Sequence, residues 1–469
     1  MKNWFEIDVD GFRDLYKNKP KTFIINELVQ NAFDENTKEC SVWVEYFNNM
    51  IEVTVKDDSP EGFKNITHAY TLFADTYKRR DPTKRGRFNL GEKQVIAICN
   101  RAEVQTTKGT IVFDDRGRTK LDAKTKKGSI IRINFNGSEK DKNILIKHAC
   151  SLLSPEGIRY VVNGKRIKSK AIFKSFEAKL LTDIFNGEIL KVQLRDTYIH
   201  LIESSDQSYI YEMGIPIMKT DCLWHIDVQQ KVQLNIDRDN ILPSYVQDLY
   251  AEVVNNAYEH ITEHSALWVR TAMKDTRIKK ETVAHIMKER FTDKYCIANP
   301  LDSNAMEDAI SHGFKPIYGG EMSGDEWDIV KDLTNIQSAT QLFGNNDITQ
   351  AEVIQPNKNQ KITALYAKKI ADRLLDIKVK VKFVTANGTS RVADYDREDK
   401  ILRFNVGHPY LKQKFFDEPT GEKPTKLIIH ELSHEDGGHI DYDYQEMQST
   451  LGAKLTMLGR NEPSFFKVN

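Results

Sequence analysis

The segment Glu27-Leu-Val-Gln-Asn31-Ala-Phe-Asp34-Glu35 decides how the first third of this chain is read. Ile24, Ile25, Leu28, Val29 and Ala32 recur at helical spacing, so residues 22–35 are expected to form a helix with one apolar stripe. Glu27, Asn31 and Asp34 stand at i, i+4 and i+7 and share another face of it. A carboxylate so placed can polarise a water, and an amide oxygen can hold a magnesium ion beside phosphates. Taken alone, the pattern is that of any amphipathic helix with a polar face.

Working outward, two alternating runs follow at 41–47 and 51–57, with Asn48-Asn49 between them as a hairpin signal. The second run ends in Val53-Thr-Val-Lys-Asp57-Asp58-Ser59-Pro60-Glu61-Gly62-Phe63. An acid at the end of a strand can accept a hydrogen bond from an exocyclic amine, although Asp, Ser, Pro and Gly are also ordinary turn residues. Next comes Lys84-Arg85-Gly86-Arg87-Phe88-Asn89-Leu90-Gly91-Glu92-Lys93, leading into a helix over 93–99. Glycines before a helix start expose backbone N–H groups, and the helix dipole there favours an anion. Arg87 and Lys93 add point charges, and the basic run Lys78, Arg79, Arg80, Lys84, Arg85 and Arg87 is either a solvated face or a phosphate-facing lid. No Gly-Lys-Ser/Thr ending is present, so this is not a Walker loop. A fourth element, Lys127-Gly128-Ser129-Ile130-Ile131-Arg132, opens a strand with a Gly-hydroxyl pair.

In this order and spacing the four elements resemble the GHKL superfamily of gyrase B subunits, HtpG-type chaperones, histidine kinases and MutL. The likeness covers roughly residues 20–135. It implies a Bergerat α/β sandwich that binds ATP and Mg2+. Glu27 would be the general base, Asn31 the magnesium ligand and Asp57 the adenine-reading acid. Asp34, Gly62, Arg87 and Lys93 would belong to the nucleotide site, Gly86 and Gly91 to its lid, and Ser129 would close the base pocket. The usual Asp-x-Gly-x-Gly turn is here Asp57-Asp-Ser-Pro-Glu-Gly62, and Ser129 stands where Thr is usual. In gyrase-like and MutL-like members a transducer domain follows and lends a lysine to the γ-phosphate. Residues 146–268 are placed to be that domain, and Lys231, after Gln229-Gln230, is the candidate for that lysine, a solvated lysine being the other reading. The likeness also implies an ATP-dependent homodimer acting as a clamp.

A separate signal lies near the other end, in Lys426-Leu-Ile-Ile-His430-Glu431-Leu-Ser-His434. Histidines at i and i+4 on one helix face suit two zinc ligands, with Glu431 directed at a metal-bound water as general base. His439, beyond Gly437-Gly438, is the preferred third ligand, and Glu446 on the following helix is the alternative. The helix–strand–strand order before the motif resembles a zincin metallopeptidase core acting on a protein substrate. Ile401–Val406 is expected to be the edge strand that aligns a peptide. A zinc ion that only staples the domain is the competing reading. In that case the chain would be a non-proteolytic, ATP-switched binding or DNA-handling module, MutL-like or phage rIIA-like.

Composition sets the frame. With 469 residues, two to four domains are expected. Lys and Arg number 68 and Asp and Glu 68, so net charge gives no case for nucleic acid. Five scattered cysteines argue for free thiols. Neither a signal peptide nor an apolar run of membrane-spanning length is read, so the expected location is cytoplasmic. The expected architecture is an α+β multidomain chain. It comprises an ATP-binding domain (1–145), a transducer-like α/β domain (146–268), a helical connector (269–345) and a zincin-like α+β domain (346–469), with a linker at 344–360.

Overall fold

The computed structural model describes residues 7–63, 65–186, 189–235, 240–302, 305–306, 309–310, 312–343, 348, 351–386, 391–412, 414–437 and 442–467. The chain is a mixed α+β protein that divides into two compact units. One is Met1–Asn256 with Ala266–Trp268, and the other is Ala257–Ser265 with Val269–Asn469.

The first unit holds an eight-stranded sheet in the order β5-β4-β3-β6-β2-β1-β7-β8. Its strands are β1 (Glu39–Phe47), β2 (Met50–Asp57), β3 (Arg101–Thr106), β4 (Gly109–Asp114), β5 (Gly117–Leu121), β6 (Ile130–Asn136), β7 (Arg159–Val162) and β8 (Lys165–Arg166). The helices are α1 (Val9–Tyr16), α2 (Thr22–Phe33), α3 (Gly91–Ile98) and α4 (Glu139–Ser151). Asn48 and Asn49 both take positive φ, as the two-residue turn between β1 and β2 requires. Period-2 alternation buries Val42 and Val44 of β1, Ile51, Val53 and Val55 of β2, and Ile131 and Ile133 of β6. They pack with Ile24, Ile25, Leu28, Val29 and Ala32 of α2 in one core. The same alternation runs on to Asp57, the last residue of β2, and places it on the buried side.

This sheet moves one boundary. A division at 145/146 cuts through α4, and β7 pairs in parallel with β1, so the first sheet runs to Arg166. The pairing of β7 is long-range, which local periodicity does not register. Beyond it lies a five-stranded sheet, β12-β11-β13-β10-β9. It contains β9 (Ile172–Asn186), β10 (Ile189–Glu203), β11 (Ser208–Glu212), β12 (Ile215–Thr220) and β13 (Trp224–Val228), followed by helix α5 (Pro243–Ala257).

The second unit begins with a stretch expected to be mostly helical. It contains α6 (Lys280–Phe291) and α7 (Gly324–Thr334), but also two parallel strands, β14 (Tyr295–Ile297) and β15 (Lys315–Ile317). A four-stranded sheet follows in the order β16-β17-β19-β18, formed by β16 (Glu352–Ile354), β17 (Lys380–Thr385), β18 (Ala393–Asp396) and β19 (Ile401–Asn405). Tyr366, Ile370 and Leu374 of α8 (Lys358–Leu375) share its core with Leu427, Ile428 and Leu432 of α9 (Glu422–Leu432) and Leu451 of α10 (Tyr442–Asn461). Two expectations are corrected here. Part of the supposed linker is β16, and α8 begins after the N-cap Asn357, which forms a capping box with Gln360. The strand expected at the sheet edge, β19, is interior and buried at all five positions, because β18 covers it on one side and β17 on the other. The edge beside α9 is β18.

Candidate functional site

Four segments far apart in sequence meet in the first unit around a cavity of about 270 Å³. Asn31, Asp57, Gly62, Gly86 and Ser129 all line it, together with Lys78, Asn89 and Glu92. Asp57 is its buried acid. One oxygen, Oδ1, accepts from Ser59 N at 2.9 Å and from Ser59 Oγ at 2.5 Å. Oδ2 accepts from Ser129 N at 3.2 Å. Burial raises the Asp57 pKa above the ordinary carboxylate value, and the hydrogen bonds from Ser59 and Ser129 oppose that shift. The turn that supplies them needs glycine: Gly128 has φ +69°, and a Cβ there would lie 2.0 Å from the Asp57 carbonyl oxygen.

On α2, Asn31 donates its amide N–H to Glu92 Oε2 at 3.1 Å. A carboxylate can only accept, so the nitrogen is the end that faces Glu92, and Oδ1 is left as the amide's acceptor end. Glu27 does not line the cavity. It accepts from Gln30 at 2.6 Å and lies against the start of α3, where a Cβ on Gly91 would fall 1.5 Å from Glu27 Oε2. Gly91 is thus the residue that admits the carboxylate.

Several residues expected to meet the nucleotide are used otherwise. Asp34 is buried and accepts from the backbone N–H groups of Arg85 and Gly86, each at 3.0 Å, so it clamps the glycine loop to α2. Arg87 does not face the cavity; its guanidinium pairs with Glu212 of β11 at 2.5 Å and donates to the Val232 carbonyl at 2.8 Å. Lys93 is buried against Glu92 at 2.5 Å. Among the described residues the lysine that lines the cavity is Lys78, held by Glu35 at 2.7 Å. Burial opposes its charge, but Asp34 and Glu35 outweigh that and its pKa is raised. Lysine 231 is buried, and its Nζ donates to the carbonyls of Lys78 at 2.6 Å and Arg79 at 3.3 Å. Burial, reinforced by Arg87, lowers its pKa to about 8. The basic run was visible in the sequence, but which of its members face the cavity depends on pairing with Glu212 and Glu35.

In the second unit a larger cavity, about 710 Å³, is lined by His430, Glu431 and His434. Arg391 just before β18, Asp394 on it, His408, and Asn299, Asp302 and Lys331 also reach it. The two imidazoles lie 5.5 Å apart, as their i, i+4 spacing requires. His434 Nδ1 meets the Gly437 carbonyl at 3.0 Å. A carbonyl only accepts, so Nδ1 carries the proton and Nε2 keeps its lone pair. His430 Nδ1 meets the Tyr444 hydroxyl at 2.6 Å. Burial raises the Glu431 pKa to about 8, with Asp394 adding to the shift. Of the third-ligand candidates, His439 lies outside the described residues, and Glu446 is exposed on α10. Among the described residues no group of three or more His, Cys, Asp or Glu is placed to hold a metal ion. No described helix is long and apolar enough to cross a membrane.

No protein-family model matches the chain, and no curated protein does. Among solved structures, the chain is similar to the ATPase region of topoisomerase II from Saccharomyces cerevisiae, with TM-score 0.33 and 12% identity over 54% of this chain and 82% of that one. The same region bound to ICRF-187 (dexrazoxane) matches with TM-score 0.32 and 12% identity, over 55% of this chain and 84% of that one. Likenesses at these scores carry no argument about chemistry, which rests on the side chains described above.

Proposed function

We propose that the first unit binds ATP with magnesium and hydrolyses it in the manner of the GHKL superfamily that its motifs resemble. The observation that carries this is convergence: Asn31, Asp57, Gly62, Gly86 and Ser129, drawn from four separate segments, line one cavity. Asp57 would accept from the adenine amine, and Asn31 Oδ1 would hold magnesium beside the phosphates. Lys78 lines the cavity as a cation. Glu27 would take a proton from the attacking water. Lys231, whose Nζ donates to the Lys78 and Arg79 carbonyls, would pass to the γ-phosphate if the lid rearranges. By the same resemblance, ATP would pair two chains and hydrolysis would release them. Titration calorimetry with ATP, with and without magnesium, tests the core of this reading. Magnesium-dependent binding of about one nucleotide per chain is expected, and absence of any heat would remove it.

We further infer a zinc-dependent peptidase site in the second unit, favoured by His430, Glu431 and His434 sharing one cavity and by the His434 tautomer. His430 and His434 would hold a zinc ion as a pair, with His439 as the proposed third ligand. A zinc ion held there would supply a Lewis acid that makes a bound water acidic near neutral pH. Glu431 would accept the water proton on a carboxylate oxygen, and β18 would align an extended peptide along the cavity. Metal analysis of the purified chain, followed by a peptide-cleavage assay, separates this from a binding module whose metal is only a staple.

A further inference from the structure

The carboxylate of Asp57 offers about four acceptor positions. Ser59 N and Ser59 Oγ fill both positions of Oδ1, and Ser129 N takes one on Oδ2. One acceptor position remains for a ligand in the cavity. Beside it stands Ser129 Oγ, which makes no hydrogen bond within the described residues and can donate or accept. The pair therefore presents one acceptor and one hydroxyl. Adenine matches it, with the 6-amino group donating to Oδ2 and N1 accepting from the hydroxyl. Guanine does not. It presents O6 as an acceptor, and a carboxylate recognises it by taking N1–H and the 2-amino N–H side by side, which needs both oxygens. Its second donor meets an oxygen already filled by Ser59, and a buried donor left unpaired is costly.

We propose that Ser59 is a specificity-determining residue, one that saturates an oxygen of Asp57 and so selects 6-aminopurine over guanine nucleotides. This rests on the nucleotide-pocket reading above. Ser59 is 4% exposed and two residues from the acid, so its hydroxyl is held on Oδ1 by local geometry.

The test measures magnesium-dependent binding of ATP, GTP and ITP to the full chain and to its Ser59→Ala and Ser59→Thr variants. Inosine has O6 and N1–H but no 2-amino group, so it cannot use a freed Oδ1. Ser59→Ala is expected to narrow the ATP:GTP affinity ratio by about tenfold, the size of one recovered hydrogen bond. Its ATP:ITP ratio is expected to stay where it was, and Ser59→Thr, which keeps the hydroxyl, to retain the wild-type ATP:GTP ratio. Ser59→Gly repeats the measurement in case Ser59→Ala does not fold. An unchanged ATP:GTP ratio in folded Ser59→Ala or Ser59→Gly overturns the proposal while leaving ATP binding in place. Equal gains for GTP and ITP overturn it too, because the 2-amino group is then not what Oδ1 recognises. A wild-type chain that binds no nucleotide overturns the pocket reading and this proposal with it.

Discussion

The two cavities are built in opposite ways. In the first unit the candidate chemistry is spread over four segments far apart in sequence. Asn31 comes from a helix, Asp57 from a strand end, Gly86 from a loop and Ser129 from the start of another strand. In the second, a single helix, α9, brings His430 and Glu431, with His434 on the turn that follows. A dispersed site is assembled by the sheet, so its existence depends on strand register and on glycines that let backbones approach. A motif carried by one helix exists as soon as the helix does, and its remaining parts must come from elsewhere. The first kind of site is therefore tested by its structure, and the second by a metal measurement.

The sharpest way to break the contrast is to remove the proposed general base of each site. Glu27→Ala is expected to bind ATP and lower its hydrolysis by about 10²–10⁴-fold, with the ATP-bound chain accumulating as a dimer. Single-turnover hydrolysis and light scattering with ATP check it, and wild-type turnover would return Glu27 to the role of a polar helix residue. In the second unit, Glu431→Gln is expected to keep the metal and lose cleavage by a similar ~10²–10⁴-fold, whereas His434→Ala loses the metal itself. Cleavage that survives Glu431→Gln, or a wild-type chain without zinc, ends the peptidase reading and leaves the ATP pocket standing, because the two share no residue.

Smaller effects sharpen the comparison within the first cavity. Asp57→Asn is expected to weaken ATP binding by roughly 10–100-fold, since a charge-assisted hydrogen bond is lost and an amide N–H can face the adenine amine. Calorimetry reads this directly, and unchanged affinity would move the base elsewhere. Gly128→Ala is expected to cost about 1–3 kcal/mol of stability from its left-handed backbone alone, before the clash with the Asp57 carbonyl is relieved. Thermal unfolding of the variant beside wild type measures it. A neutral result would mean that the turn holding Ser129 to Asp57 is not what shapes the pocket.

Most elements were legible where the signal was local. Helical spacing marked α2, alternation marked β1, β2 and β6, and the paired asparagines marked the hairpin, since each depends on side chains a few positions apart. The candidate residues Asn31, Asp57 and Ser129 were legible for the same reason, each at a recognisable place on a strand end or helix face. Where a pairing departs from the expectation, the partner is a chain neighbour for Lys93, taken by Glu92, and a residue distant in sequence for Arg87 and Asp34. Arg87 has the chemistry of a phosphate ligand, but Glu212, 125 residues away, takes its charge. Asp34 shares the polar face of Glu27 and Asn31, yet two backbone N–H groups of the glycine loop claim it.

Sequence alone determined which residue types sit at which phase of a helix or strand: the acid at the end of β2, the amide one turn after Glu27, and the two histidines one turn apart. These follow from backbone periodicity, which is local and strong. Tertiary structure alone decided which polar groups remain available to a ligand. That is a question of pairing and placement at the end of folding, when each buried charge takes its partner. Lys78, paired with Glu35, and Ser129 line the cavity, whereas Arg87 and Lys93 do not. The order of strands in a sheet is decided in the same way, and it is why β18, not β19, forms the edge beside His430 and Glu431.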